Sequence, residues 1–149
     1  MNSQPIVHAD FDFDDPRAIR ELDLTDPERP IDNATLVVGG DAETGRVDFI
    51  TRWKPRHYCS LHRHLSDTVS IVLAGEHWVE NEDGSRRKRL PGNYSCARAG
   101  ETHREFAGDE GSLVFFSMQS DHGGAFHGFE PDGAPRPGST IANLLSRLA

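Results

Sequence analysis

A chain of 149 residues is long enough for one domain with its own core and too short for two ordinary ones. Hydrophobic residues make up 36% of it, and 14 glycines and 9 prolines punctuate it, which favours a turn-rich β protein over a helical bundle. The formal net charge of −8 argues against a nucleic-acid partner, because neutralising phosphates takes clustered Lys and Arg.

The charge is uneven: residues 10–32 hold nine acids against three arginines. Residues 1–32 read as an acidic arm. Within it DPRAIRELDL has the form of a short helix, with Asp15 as cap and Pro16 at the first helical position. Its composition suits either a disordered segment or one laid across a neighbour's sheet. The beginning, MNSQPIVHADFDFDD, is polar and acidic, unlike a secretory leader. No apolar run approaches the roughly 18 residues a membrane helix needs, so no membrane partner is expected and the expected location is the cytoplasm. Cys59 and Cys96 lack a CxxC spacing and are expected as free thiols.

Residues 33–130 break into short apolar runs separated by turn signals: ATLVVGGD, GRVDFITRWKP, YCSLHRHL, DTVSIVLAGEHWVENEDG, RKRLPGNYSCARAGE, THREFAGDEG and SLVFFSMQSD. Runs rich in Val, Ile, Thr, Phe and Trp and bounded by Gly, Pro, Asp or Asn predict an all-β antiparallel sandwich or barrel. The basic run Arg86, Arg87, Lys88, Arg89 follows the turn-like NEDGS and is read as a solvated strand edge. Residues 131–149 begin as the loop DGAPRPGST and end in TIANLLSRLA. There Ile141, Leu144, Leu145 and Leu148 have helical spacing behind a Ser139 or Thr140 cap, predicting a short amphipathic helix.

Eight histidines are many for this length. His62 and His64, two apart on a strand, share a face, and the same parity groups Thr68, Ser70 and Val72 on the next strand. The opposite parity, with Val69, Ile71, Leu73 and His77, reads as ordinary packing. Downstream, RLPGNYSCARAGETHREF turns at Gly92 and Gly100 and opens a strand with His103.

Together these segments resemble the cupin superfamily over about residues 36–120. In its first motif a His-x-His pair precedes a Glu and then a Gly; here His62 and His64 precede Thr68 at the Glu position and Gly75. In its second, Gly92, Gly100 and His103 stand in register, with Arg98 where Pro is usual and Ala107 where Asn is usual. The resemblance implies a double-stranded β-helix barrel, with the arm before it and the helix after it, and a divalent metal held by His62, His64 and His103. Three neutral nitrogens suit a first-row metal with open positions.

Thr68 is placed to hydrogen-bond a bound water. Asp67 turns away by parity, unless a bend before the strand reverses it. Glu105 shares the face of His103 and is read as a ligand, an orienting group or a general base, against an exposed acid where the strand leaves the barrel. His122 and His127, in the loop SDHGGAFHGF, belong either to a lid or to the surface. The three-histidine pattern resembles small iron dioxygenases that cleave diketones or hydroxyaryl ketones. That implies Fe(II), molecular oxygen, a small-molecule substrate and a homodimer. Zinc, manganese or nickel on the same residues implies instead an isomerase, lyase or cyclase. A barrel that only binds a small molecule is the third reading.

Overall fold

The structure, a computed structural model, describes residues 11–148. The elements are β1 (Ile19–Asp23), β2 (Ile31–Asp41), β3 (Arg46–Trp53), β4 (His62–His64), β5 (Asp67–Asn81), β6 (Arg86–Arg89), β7 (Tyr94–Ala97), β8 (Thr102–Gln119), β9 (Gly124–Gly128), β10 (Ser139–Thr140) and α1 (Ile141–Leu145). All strand pairs within the sheet are antiparallel. Among the described residues no helix is long and apolar enough to cross a membrane.

The sheet is built on two long strands. β5 and β8 run side by side from Asp67↔Gln119 to Asn81↔His103. The free edge of β5 takes β7 and then β6. The free edge of β8 takes β3 at one end and β4 at the other. From β3 the order continues to β2 and β1, and from β4 to β9 and β10, so the sheet curls into a half-barrel. Val47, Phe49, Trp53, Val72, Val114, Phe116 and Met118 pack inside the curl, and α1 closes it with Ile141 and Leu144. Thr140 caps α1, its side chain accepting from the Asn143 amide as the sequence predicts.

The two long strands bend together. Register shifts lie between Val72 and Ala74 and between Gly75 and His77. Gly75 (φ 78°) and Gly111 (φ 75°) both occupy the left-handed region there, which only glycine enters at little cost. A Cβ on Gly75 would lie 2.0 Å from the Gly111 carbonyl oxygen. Across the bend the inward parity inverts on both strands. Thr68, Ser70 and Val72 are buried before it on β5, and His77 and Val79 after it; Glu105 and Ala107 are buried on one side of β8, and Ser112, Val114 and Phe116 on the other.

Three expectations are corrected. DPRAIRELDL forms a turn and then β1, not a helix: Asp15 accepts from the Arg17 amide, and the chain then pairs Ile19 with Thr35 in the sheet. The described part of the arm covers this chain's own sheet, where Phe13 packs with Ala18, Ala34, Leu36 and Ile50 under the Arg52 guanidinium. Burying that phenyl ring stabilises the arm's attachment by about 2 kcal/mol. Ile71 and Leu73 do not pack inward; they face out and are exposed. The basic run is a solvated edge only in part, because Arg89 is 2% exposed. Both cysteines are free, Cys59 buried and Cys96 exposed.

Gly75→Ala is expected to lower the unfolding free energy by about 2 kcal/mol or more, since it combines left-handed strain with a backbone clash. Urea titration of variant and parent measures it, and a change within about 0.5 kcal/mol would show that the bend tolerates a side chain.

Candidate metal centre

β4 and β8 place the histidines opposite each other: His62 and His103 are direct partners in the ladder. His64, one pleat along from His62, points to the same side, as the spacing predicts. The three ring nitrogens lie within 4.8 Å of one another, with His64 Nε2 3.1 Å from His103 Nε2. His64 and His103 are buried and His62 is half-buried.

Hydrogen bonds determine which nitrogen carries the proton. His62 Nδ1 lies 3.0 Å from the Ser60 carbonyl and must donate to it, leaving Nε2 bare. Thr68 Oγ1 donates to the Ser66 carbonyl, so it accepts from His64 Nδ1 at 3.0 Å, which again leaves Nε2 bare. Thr68 thus orients a histidine where the sequence expected it to hold a water. Desolvation keeps the His62 ring below the usual histidine range, with the neighbouring His103 adding to the effect. Desolvation, then the charges of His62 and His103, holds His64 at about 3. Neutral rings with converging lone pairs are the protonation state a cation requires. Two nitrogens bound at about 2.0–2.1 Å and at right angles would be about 3 Å apart, which matches the His64–His103 contact. The residues present therefore fit a divalent metal.

Glu105 is buried, and the reading of it as an exposed acid does not survive. Its Oε2 lies 3.9 Å from both His62 Nε2 and His103 Nε2, facing the same centre. Its Oε1 accepts from His77 Nε2 at 3.0 Å, and His77 Nδ1 contacts Ser112 Oγ at 2.9 Å. Burial pushes the Glu105 carboxyl up, but the His77 hydrogen bond and the surrounding imidazoles outweigh it and hold the group ionised. Three imidazoles and one carboxylate oxygen thus face one another. Sequence reasoning missed His77, placed among packing residues by an unbroken alternation that the bend inverts. His77 is fully buried under the Trp53 ring, at 4.5 Å between centroids. Gly75 was the available signal, since a glycine inside a strand pattern marks a bulge.

The remaining candidates lie elsewhere. Asp67 accepts from the Ala99 amide at 2.8 Å and faces solvent. His122 Nε2 meets the Leu65 carbonyl, and His127 Nδ1 meets the Gly128 carbonyl. Beside the histidines is a cavity of about 190 Å³, walled by Phe49, Trp53, Phe116, Met118 and Phe126, with His62, His64, Cys59 and Glu105 at its polar side. A larger open groove of about 710 Å³ passes over Trp78 and Arg86 and includes none of the three histidines.

No family model matches the sequence. No curated protein matches it either. Solved structures do match in shape. An acetylacetone dioxygenase from Acinetobacter johnsonii superposes with a TM-score of 0.67 over 99% of this chain and 95% of its own, at 12% identity. A DMSP lyase from Ruegeria pomeroyi gives a TM-score of 0.60 at 18% identity, covering 78% of this chain and 63% of the lyase. A polyketide cyclase from Streptomyces resistomycificus gives 0.52 at 15% identity, over 73% and 70%. A protein from Ralstonia eutropha described as having a cupin-like fold gives 0.63 at 16%, over 78% and 70%. At these identities the likeness shows the fold, which is that of the cupins.

The depressed His64 and Glu105 values give the metal-free protein a pH dependence of definite sign. Unfolded histidine takes up a proton near 6.5 whereas folded His64 does so near 3, so acid favours the unfolded chain across that window. Glu105 adds a loss of the same sign below its ordinary value of 4.5. Urea unfolding of chelator-treated protein is expected to show full stability above pH 6.5, a decline below it, and a steeper one below 4.5. His64→Ala should flatten the upper part, and an unchanged slope in that variant would contradict the assignment.

Proposed function

We propose that this chain is a metal-dependent enzyme of the cupin fold, with His62, His64, His103 and Glu105 as the residues that hold the metal. The observation that carries the reading is the pair of bare Nε2 atoms on His62 and His64, fixed by hydrogen bonds and converging on His103 beside an apolar cavity. Within that class the best-supported reaction is oxidative carbon–carbon cleavage of a small ketone, diketone or hydroxyaryl ketone with molecular oxygen as co-substrate. The likeness to the acetylacetone dioxygenase, which spans nearly all of both chains, supports it. Divalent iron, when bound, supplies the redox chemistry that lets oxygen react with an organic substrate.

The chain's own residues perform the rest. Phe49, Phe116, Met118 and Phe126 exclude water and hold the apolar part of a substrate. At about 190 Å³ the cavity is below the range for drug-sized ligands, so the substrate is small. Thr68 and the Ser60 carbonyl keep the His64 and His62 rings in orientation, and such outer partners commonly decide affinity at a metal site. His77 holds one oxygen of Glu105, which leaves the other aimed at the centre.

A second reading rests on that free oxygen. With zinc, manganese or nickel as a Lewis acid, Glu105 Oε2 is positioned to take a proton from carbon next to a polarised carbonyl, the step a lyase or cyclase needs.

Metal analysis of protein purified without oxygen is expected to give one iron per chain, and His62→Ala, His64→Ala or His103→Ala should each lower that content at least tenfold. Oxygen consumption with 1,3-diketones and hydroxyaryl ketones tests the reaction; none from an iron-loaded sample across such a panel would rule out the oxygenase. Glu105→Gln separates the two readings. A Lewis-acid enzyme is expected to lose about 10²–10⁴-fold in rate with its metal retained, while an oxygenase that uses Glu105 as a ligand should lose metal and rate together.

A further inference from the structure

Arg89 is among the largest fully buried side chains of the protein, at 2% exposure, and the metal centre does not account for it. It comes from β6 and points into the interior. Its Nε donates to Asn93 Oδ1, one terminal nitrogen to Ser70 Oγ, and the other to the Ser70 and Asn93 carbonyls. These four bonds all end on neutral oxygens, whereas a guanidinium has five N–H groups. Among the described residues no carboxylate forms an ion pair with it. A guanidinium stays charged even when burial depresses its pKa, as it does here. Isolated buried charges are costly, so a buried cation normally has an anion beside it.

The location of Arg89 indicates where that anion belongs. A side chamber of about 20 Å³ is lined by Arg89, Ser70, Thr68, His64, His103 and Glu105. It shares His64, Glu105 and Phe116 with the apolar cavity, so the same side chains border both spaces. A chamber of that size admits about one water-sized group, such as a single oxygen atom. Glu105 is the acid whose field reaches Arg89, and its charge is already engaged by His77 and the histidine centre. With a divalent cation bound, the fully buried charges would be two from the ion and one from Arg89 against one from Glu105, while Glu101 on the chamber and Glu21 on the apolar cavity are half-buried acids. Among the fully buried groups the balance is positive, which favours an added negative charge.

Building on the metal-centre reading, we infer that the site takes a small organic monoanion whose charge is on oxygen, with that oxygen directed toward the Arg89 chamber and a short apolar body in the larger cavity. Arg89 then acts as the residue that selects charge. A carboxylate and the enolate of a 1,3-dicarbonyl share this chemistry. A neutral ketone of the same size does not.

Calorimetric titration of the zinc-loaded full chain with butanoate and with butanamide, which match in size and differ in charge, tests the inference. Butanoate is expected to bind at least tenfold more tightly. In Arg89→Met, checked for retained zinc, the ratio should fall to within about threefold. If that variant does not retain zinc, Arg89→Lys is used instead, because a point charge on a shorter reach replaces the planar fork and should reduce the ratio at least threefold. Equal binding of the two probes by the parent protein, or an unchanged ratio in the variant, would overturn the proposal. Zinc content separates this from the metal reading: a chain without zinc fails that reading before any probe is added. A chain that holds zinc and shows no charge preference fails this proposal alone.

Discussion

The bend shared by β5 and β8 is the constraint on which the interior depends. Two strands of this length, paired along their whole extent, would twist but would not curl enough to enclose a site. The left-handed glycines at 75 and 111 allow close backbone approach and a sharp change of direction. They also move the inward face from even to odd positions along β5. Thr68 therefore supports His64 on one side of the bend, and His77 supports Glu105 on the other. An unbroken alternation would place Glu76 and Trp78 inside instead, a second acid and a large ring in a space occupied by one imidazole.

The interior also depends on how its charges are balanced. Burial makes protonation of His62 and His64 unfavourable, and hydrogen bonds from Nδ1 make their outer nitrogens available. The same burial would favour a neutral Glu105, and only the His77 hydrogen bond and nearby imidazoles reverse it. One carboxylate is therefore kept ionised among the imidazoles, and a buried guanidinium nearby is surrounded by neutral oxygens. The apolar cavity has aromatic walls on one side and the Glu105 carboxylate with His62 and His64 on the other.

The three histidines were legible because their signal is local. A His-x-His pair on a strand shares a face by pleat geometry, and glycine spacing around His103 resembles a known motif. The C-terminal helix was legible from periodicity and its cap. The residues that complete the site were not. Arg89 ended a run of four basic residues on a strand whose first three members are exposed, and nothing local distinguishes the fourth. His77 carried the wrong parity until the bend was known. The N-terminal DPRAIRELDL was misread because a capped helical start and a turn leading into an edge strand have similar composition. Pairing with β2 decided between them.

By itself, then, the sequence determined an all-β architecture, the turn positions and the three imidazoles, because each rests on short-range preference or alternation. Tertiary structure decided which acid faces the histidines, which histidine holds it and which arginine is buried beside them. These depend on strand register across the Gly75–Gly111 bend, and register is set by pairing between segments about 40 residues apart in the chain.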